Sequence, residues 1–131
     1  MNPRGWLTRL LGDEGERIAC RHLKQQGYRI LARQSRSRLG EIDLVALDGD
    51  TIVFVEVKSR RDQREGSPAE AVDLRKQRKL TQLALVWLKR RKLLGKRCRF
   101  DVVAVRWDDE GRPIVEHFRS AFEAADLGQM Y

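Results

Sequence analysis

One strand, and the charges that end it, constrain the fold of this chain more than any other feature. The run Thr51–Val55 is almost continuously apolar, and Glu56-Val57-Lys58 follows it directly. Such a strand is typical of a sheet that is buried on both faces, where an unpaired carboxylate or ammonium is costly. The charges at its end therefore need each other, a metal or a ligand.

The residues before this strand predict a hairpin. Gly49-Asp50 forms the two-residue connection, and glycine at its first position is typical of a type II′ turn. The register that this turn sets places Asp43 opposite Glu56, and Glu41 opposite Lys58. Opposed residues have Cβ atoms roughly 4.5–5.5 Å apart, so the carboxylates of the two acids would be close enough to coordinate one divalent cation. The sequence thus predicts that Asp43, Glu56 and Lys58 share one face.

The alternative for Glu56 and Lys58 is an ordinary salt bridge on a solvent-facing strand. Alternation along the strand puts Ile52 and Phe54 on the same side as both charges. Two large apolar side chains argue against a solvated face, so a partly buried functional site is the favoured interpretation.

A third acid lies on a predicted helix over residues 13–26, with Gly27 as its C-terminal stop. Glu16 falls on the packed side of this helix, because Ala19 and Leu23 follow three and seven residues later. We therefore expect Glu16 near the other two acids. A helix-start carboxylate favoured by the macrodipole is the alternative.

The remaining elements complete an α/β pattern. A proline and a capping-box glutamate in Ser67-Pro68-Ala69-Glu70 predict a second helix that continues through apolar positions at 80–88. Strands are predicted at Phe100–Trp107 and Ile114–Phe118, with a turn between them and a short helical tail after them. This order predicts one nuclease-like domain over residues 1–131, with a mixed sheet, a central hairpin and helices on its faces.

Taken together, these motifs resemble two known groups. From Gly12 to Phe122 the chain is similar to the YraN-like family of bacterial proteins, on the runs Gly15-Glu16-x-x-Ala19, Gly27, Ile30-Leu31, Gly40-Glu41-Ile42-Asp43-Leu44 and Val53-Phe54-Val55-Glu56-Val57-Lys58-Ser59-Arg60. The order of helix acid, strand aspartate and Glu-x-Lys resembles PD-(D/E)XK nucleases, including archaeal Holliday-junction resolvases. This implies a restriction-endonuclease-like fold. Relatives often carry asparagine where this chain has Gln34, so the resemblance leaves open whether the side chain at this position makes a contact.

The resemblance also implies roles for single residues. The implied metal ligands are Asp43, Glu56, Glu16 and the carbonyl of Val57. A hard cation such as Mg²⁺ or Mn²⁺, held by carboxylates with positions left for water and phosphate, suits phosphodiester hydrolysis. Lys58 would assist the attacking water or stabilise the phosphate. By register, Glu41 would hold Lys58 in place.

The charge balance favours a polyanionic partner, because 27 Lys and Arg stand against 19 Asp and Glu, for a net charge of +8. The residues expected to contact nucleic acid are Arg33, Arg36, Arg38, Arg60, Arg61, Lys76, Lys79, Lys89, Arg90, Arg91 and Lys92. Without an aromatic-rich RNA-reading motif or a recognition helix, backbone and shape recognition is the expectation. The alternative explanation for the large number of arginines is genome composition or heat adaptation. For Lys76, the alternative is an ordinary solvated charge on a helix.

The combined prediction is a metal-dependent DNA endonuclease that acts on structured or branched DNA. Two alternatives stay open: a non-catalytic nucleic-acid-binding or DNA-repair scaffold protein with the same fold, and a protein whose basic helix binds an acidic protein. A purely binding module has no need to keep repelling carboxylates in a basic cleft, which favours the enzyme.

Other features narrow the setting. No secretory or membrane segment is visible, which predicts a cytoplasmic protein with no membrane partner. Cys20 and Cys98 are expected to be reduced core or near-surface residues, because Cys20 lies in an apolar-periodic helix and Cys98 precedes an apolar strand. The cysteines and histidines also lack the paired close spacings of a zinc site. Asp101 is expected to have a structural hydrogen-bonding role. A homodimer is compatible with the sequence.

Overall fold

The computed structural model describes the backbone of residues 3–60 and 72–124, and the side chains of residues 12–59 and 72–124. Its elements are α1 (Pro3–Gln25), β1 (Arg29–Ser37), β2 (Gly40–Asp48), β3 (Thr51–Arg60), α2 (Leu74–Arg90), β4 (Cys98–Trp107) and β5 (Pro113–Phe122). This order confirms the predicted α/β class, with one sheet and helices packed against it. None of the described helices has the length and apolar character needed to cross a membrane.

The strands form one mixed sheet in the order β1-β2-β3-β4-β5. All neighbours are antiparallel except β3 and β4, which run parallel and are therefore joined by a crossover that contains α2. β3 is the middle strand and is buried on both faces, as its apolar run predicts.

The hairpin between β2 and β3 has the predicted register, with backbone pairing from Asp48 and Thr51 to Leu44 and Val55. Gly49 has a φ of 60°, the left-handed conformation that the first position of a type II′ turn requires. The turn therefore sets which residues of the two strands meet.

The two helices cover opposite faces of the sheet. Ile52 and Phe54 pack in the cluster that contains the apolar side of α2. Val53 and Val55 pack in the other cluster, which contains the apolar side of α1. Because side chains alternate along β3, successive side chains of this strand face α1 and α2 in turn. The charges that follow the apolar run are thus enclosed from both sides.

Helix α1 extends further toward the N-terminus than the predicted 13–26 segment and ends at Gln25. Gly27 has a φ of 90°, which confirms it as the C-terminal stop. The predicted capping box at 67–70 lies outside the described residues. The helix that carries the apolar positions 80–88 instead begins at Leu74.

The start of α2 is set by Asp73, whose carboxylate accepts a hydrogen bond from the backbone N–H of Lys76 at 2.9 Å. A side-chain acceptor at this position satisfies one of the free donors of a first helical turn. At the other end of the chain, β5 continues to Phe122, so this strand occupies the first part of the predicted helical tail. Residues 125–131 lie outside the described part.

The expected hydrogen-bonding role of Asp101 is confirmed, and the two cysteines lie in different surroundings. Both cysteines are free, with Cys20 buried and Cys98 exposed. Asp101 is fully buried and accepts hydrogen bonds from Arg99 Nε and from the backbone N–H of Ser120, both at 3.0 Å. It therefore ties β4 to β5.

Candidate metal centre

Three carboxylates meet beside the C-terminal end of β3. Glu16 comes from α1, and Glu41 and Asp43 come from β2. Carboxylate oxygens of the three residues lie within 4.8 Å of one another. Because oxygen ligands of Mg²⁺ stand about 2.0–2.1 Å from the ion, small side-chain movements would bring these oxygens into one coordination shell.

Asp43 occupies the place where the backbone pairing of the hairpin ends. Its Oδ2 accepts a hydrogen bond from the backbone N–H of Val57 at 2.8 Å. A side chain thus takes the donor that a backbone carbonyl would otherwise bind. The alternation of β2 also breaks here, because Ile42 packs on the α2 side and Leu44 packs on the α1 side.

This break corrects the predicted arrangement of the charges. The pairs Asp43 with Glu56 and Glu41 with Lys58 are not part of the backbone ladder, which stops at Leu44 and Val55. Asp43 is directed toward α1 and Glu16, whereas Glu56 contacts a lysine of α2. The three predicted charges therefore do not share one face, although Glu56 remains close enough for its charge to raise the pKa of Asp43.

Glu56 is buried and lies between two lysines. The Nζ atom of Lys58 is 3.5 Å from its Oε1, and the Nζ atom of Lys76 is 3.4 Å from the same oxygen. Glu41 forms an ion pair with Arg36 at 3.0 Å. In the part of the chain that the structure describes, Lys58 is thus held by Glu56 and not by Glu41 as predicted.

Gln34 is the site residue that sequence reasoning missed. Its Nε2 donates to Glu16 Oε2 at 2.7 Å and to Asp13 Oδ1 at 3.2 Å. The residue stands across from Asp43 in the register of β1 and β2, and its φ of 48° is left-handed. Asparagine tolerates this conformation best among residues other than glycine. The asparagine expected in relatives was the signal of a special backbone position here.

The pKa values of Asp43 and Glu16 are both raised, and burial is the largest cause in each case. Burial, followed by the charge of Glu56, raises the pKa of Asp43 to about 8 against the opposing hydrogen bond from Val57. Burial also raises the pKa of Glu16, while the hydrogen bond from Gln34 lowers it. Carboxylate oxygens of Glu16 and Asp43 lie within 4.8 Å of each other, and the raised pKa of Asp43, about 8, favours its protonated form at neutral pH. A divalent cation would take the place of this proton.

The predicted nucleic-acid residues divide into three groups. Arg33 lines a cleft of about 450 Å³ with Glu16 and Gln34, and Arg36 and Lys76 contact acids of the site. The side chain of Lys79 lies against Gly40 at the start of β2. Exposed positions farther along β1, its turn and the end of α2 hold Arg38, Lys89, Arg90, Arg91 and Lys92. The side chain of Arg60 and the whole of Arg61 lie outside the described residues.

Sequence comparison supports one family. The profile described as "Uncharacterised protein family UPF0102" matches residues 15–105. A UPF0102 protein from Geotalea uraniireducens is 47% identical over 115 residues, covering 88% of this chain and 91% of that protein. One from Rhodopirellula baltica is 50% identical over 125 residues, covering 92% and 75%. One from Symbiobacterium thermophilum is 48% identical over 118 residues, covering 90% and 100%.

Among solved structures, the calcium complex of SfsA from Pyrococcus furiosus aligns with a TM-score of 0.43 and 17% identity. The alignment covers 86% of this chain and 63% of that one.

Proposed function

The chain belongs to the UPF0102 family, the YraN-like group that its motifs resemble, and we propose that it is a metal-dependent endonuclease acting on structured or branched DNA. The observation that carries the proposal is the cluster of Glu16, Glu41 and Asp43, gathered from two elements within 4.8 Å. Glu56 and its two lysines adjoin this cluster. Acids and lysines in contact are the groups that metal-assisted phosphodiester hydrolysis uses.

The donor set fits a hard divalent cation. Carboxylate oxygens are the ligands that Mg²⁺ and Mn²⁺ prefer, and a cation would replace the proton that the raised pKa of Asp43 favours. Gln34 would orient Glu16 from behind, as the hydrogen-bond partners of metal ligands commonly do. Glu56 and the carbonyl of Val57 remain proposed ligands. The bound cation would supply an acidified water and neutralise charge on the phosphate.

The two lysines have different proposed roles. Without substrate, both ammonium groups form ion pairs with the buried carboxylate of Glu56. Lys58 follows Glu56 on the same strand, so its charge lies beside the acids and would stabilise the developing charge on the phosphate. Lys76 comes from the opposite helix and would contact the substrate backbone from there.

A non-catalytic DNA-binding protein is the second candidate. It is favoured by the ion pairs of both lysines with Glu56, because this arrangement satisfies all three charges without substrate. The net charge of +8 serves DNA binding in either case. What this candidate does not account for is the gathering of Glu16, Glu41 and Asp43 at one place, because a binding module gains nothing from acids that repel each other.

The two candidates are separated by a cleavage assay. Linear, flapped and four-way DNA are incubated with Mg²⁺ or Mn²⁺ and with the wild-type protein, with Asp43→Asn, or with Asp109→Asn, which removes an exposed carboxylate far along the chain. We expect cleavage of at least one branched substrate by the wild type and by Asp109→Asn, and none by Asp43→Asn. Uncut DNA in every lane that nevertheless shows binding would favour the non-catalytic candidate.

A further inference from the structure

A second groove lies between β1 and α2, next to the acid cluster but outside it. Its volume is about 370 Å³. The polar and aromatic residues that line it are Ser35, Arg36, Ser37, Trp87, Arg90 and Arg91. Its remaining lining is aliphatic, so no described residue that lines this β1–α2 groove is acidic. Three guanidinium groups from two different elements therefore face one concave surface.

One of these arginines is already held in place. The guanidinium carbon of Arg91 lies 4.1 Å from the centre of the Trp87 ring, and its Nη1 donates to the backbone carbonyl of Trp87 at 3.3 Å. A guanidinium that is fixed before binding loses less conformational freedom when a ligand arrives. Trp87 itself is 5% exposed and covered by Arg91, so its ring offers no surface on which a base could stack.

The groove is continuous with the candidate metal centre. Arg36 lines the groove, and its Nε lies 3.0 Å from Oε2 of Glu41, which belongs to the acid cluster. Ile42 lines the groove as well and stands between Glu41 and Asp43 in the chain. The ion pair between Arg36 and Glu41 thus links the groove to the acid cluster.

We propose that the β1–α2 groove binds the backbone phosphates of one nucleic-acid strand, a few nucleotides from the phosphate that lies at the acid cluster. The identity of the strand as a substrate rests on the function proposed above. Arginines bind phosphate oxygens in a bidentate manner, and serine hydroxyls are common phosphate donors. Because the indole is covered, the groove contacts the backbone and not the bases, and its contribution to affinity is independent of sequence.

A structural explanation exists for basic residues at this end of α2, because cations at a helix C-terminus complement the macrodipole. That explanation applies equally to Lys89, Arg90, Arg91 and Lys92. Phosphate binding in the groove would explain only Arg90 and Arg91, because Lys89 and Lys92 do not line it. The two pairs carry the same charge on the same helix end and therefore provide a matched comparison.

The experiment measures DNA binding by fluorescence anisotropy at several salt concentrations, in EDTA, so that catalysis plays no part. We compare Arg90→Gln/Arg91→Gln with Lys89→Gln/Lys92→Gln on one duplex and one four-way junction. The groove variant should lower the slope of log affinity against log salt by about 2, since each phosphate contact contributes about 0.9. The lysine variant should lower it by less than half as much. Equal losses in both variants, or none in either, would overturn the inference.

Two additions keep the result interpretable. Arg90→Gln alone leaves the contact between Arg91 and Trp87 intact, and its slope should fall by about 1 if the groove binds DNA. Titration with inorganic phosphate, followed by tryptophan fluorescence, tests for a small-anion site. Phosphate binding without any change of the DNA slope in the arginine variants would assign the groove to free anions and contradict the proposal.

The two proposals fail separately. If DNA is never cleaved but the arginine and lysine variants differ as expected, the proposal for the groove is supported and the proposed endonuclease activity is contradicted. If DNA is cleaved but the two variants have the same salt slope, the endonuclease activity is supported and the proposal for the groove is contradicted.

Discussion

Asp43 and Asp101 lie on the two strands that flank β3, and their surroundings differ in one respect that decides their roles. Both stand where regular strand pairing is interrupted, and each faces a residue with left-handed backbone, Gln34 or Ser120. Asp101 is surrounded by donors. Asp43 receives one backbone N–H and otherwise faces acids.

The consequence appears in the pKa values. Burial raises the pKa of Asp101, but hydrogen bonds from His117 and Arg99 outweigh it and hold the value below the ordinary one. Burial and the charge of Glu56 raise the pKa of Asp43 to about 8. Burial alone therefore does not distinguish a structural aspartate from a functional one. The available donors do, because a carboxylate left among acids is stabilised only by a proton or a cation.

The largest expected effect is on the structural side. Asp101→Asn should lower the free energy of unfolding by about 3–5 kcal/mol, because Arg99 loses its buried charge partner. Urea denaturation at pH 7 measures this loss. A loss of unfolding free energy below about 1 kcal/mol would mean that the donors around Asp101 find other acceptors. Asp101 would then not be the structural aspartate with which Asp43 is compared.

A second prediction concerns the lysine next to the acids. Lys58→Met should lower the rate of DNA cleavage by about 10²–10³-fold and leave DNA affinity almost unchanged, because its charge acts on the reacting phosphate. Lys96→Met, which removes an exposed lysine, is the control. Single-turnover rates and anisotropy are measured on the same DNA. Parallel losses of rate and affinity would make Lys58 an ordinary phosphate contact.

The same substitution that destabilises at Asp101 should stabilise at Asp43. The folded-state pKa of about 8 lies above the ordinary value of 3.8, so the folded protein holds a proton that the unfolded chain releases. Wild-type stability therefore decreases as pH rises between these two values. Asp43→Asn should raise the free energy of unfolding by about 2–4 kcal/mol at pH 8.5 and change it little near pH 4.

Urea denaturation in metal-free buffer at both pH values tests this sign. Excess Mn²⁺ should remove most of the difference at pH 8.5, because the cation stabilises the wild type alone. Equal stability of Asp43→Asn and the wild type at pH 8.5 without metal would show that the acids do not strain the fold.

The smallest effect is expected at Gln34. Gln34→Ala removes the donor to Glu16 and should weaken Mn²⁺ binding about tenfold, the lower end of effects seen for groups behind metal ligands. Gln34→Asn keeps an amide on a backbone that asparagine tolerates, and serves as the conservative partner. Calorimetric titration compares the two. If both variants bind Mn²⁺ as the wild type does, Gln34 has only a local structural role.

Much of this arrangement was predictable from the sequence, because it follows from periodicity and turn chemistry. The II′ turn at Gly49 and the apolar alternation of β3 gave the register of the hairpin, and helical spacing placed Glu16 on the packed side of α1. Periodicity does not predict where a side chain, and not a backbone carbonyl, accepts the hydrogen bond of a strand N–H. The hydrogen bond from Val57 to Asp43 forms where the ladder ends, before both predicted charge pairs, and the aspartate is directed to the other face.

Gln34 and the start of α2 show the same limit. A left-handed φ at Gln34 depends on its contacts with Glu16 and Asp13, which come from a distant segment. The helix start was predicted at the strongest local signature, Ser67-Pro68, while Asp73 is an equally good capping residue that a sequence does not rank above it. In both cases tertiary contacts chose among local options.

The most direct test of the central claim, that Asp43 is kept among acids in order to bind a cation, is calorimetric titration with Mn²⁺ at pH 7 in two buffers of different ionisation enthalpy. The account predicts saturable binding by the wild type and by Asp109→Asn, with release of close to one proton from the pair of Glu16 and Asp43. It predicts no binding by Asp43→Asn. Equal Mn²⁺ affinity in all three proteins, or binding without proton release, would contradict it.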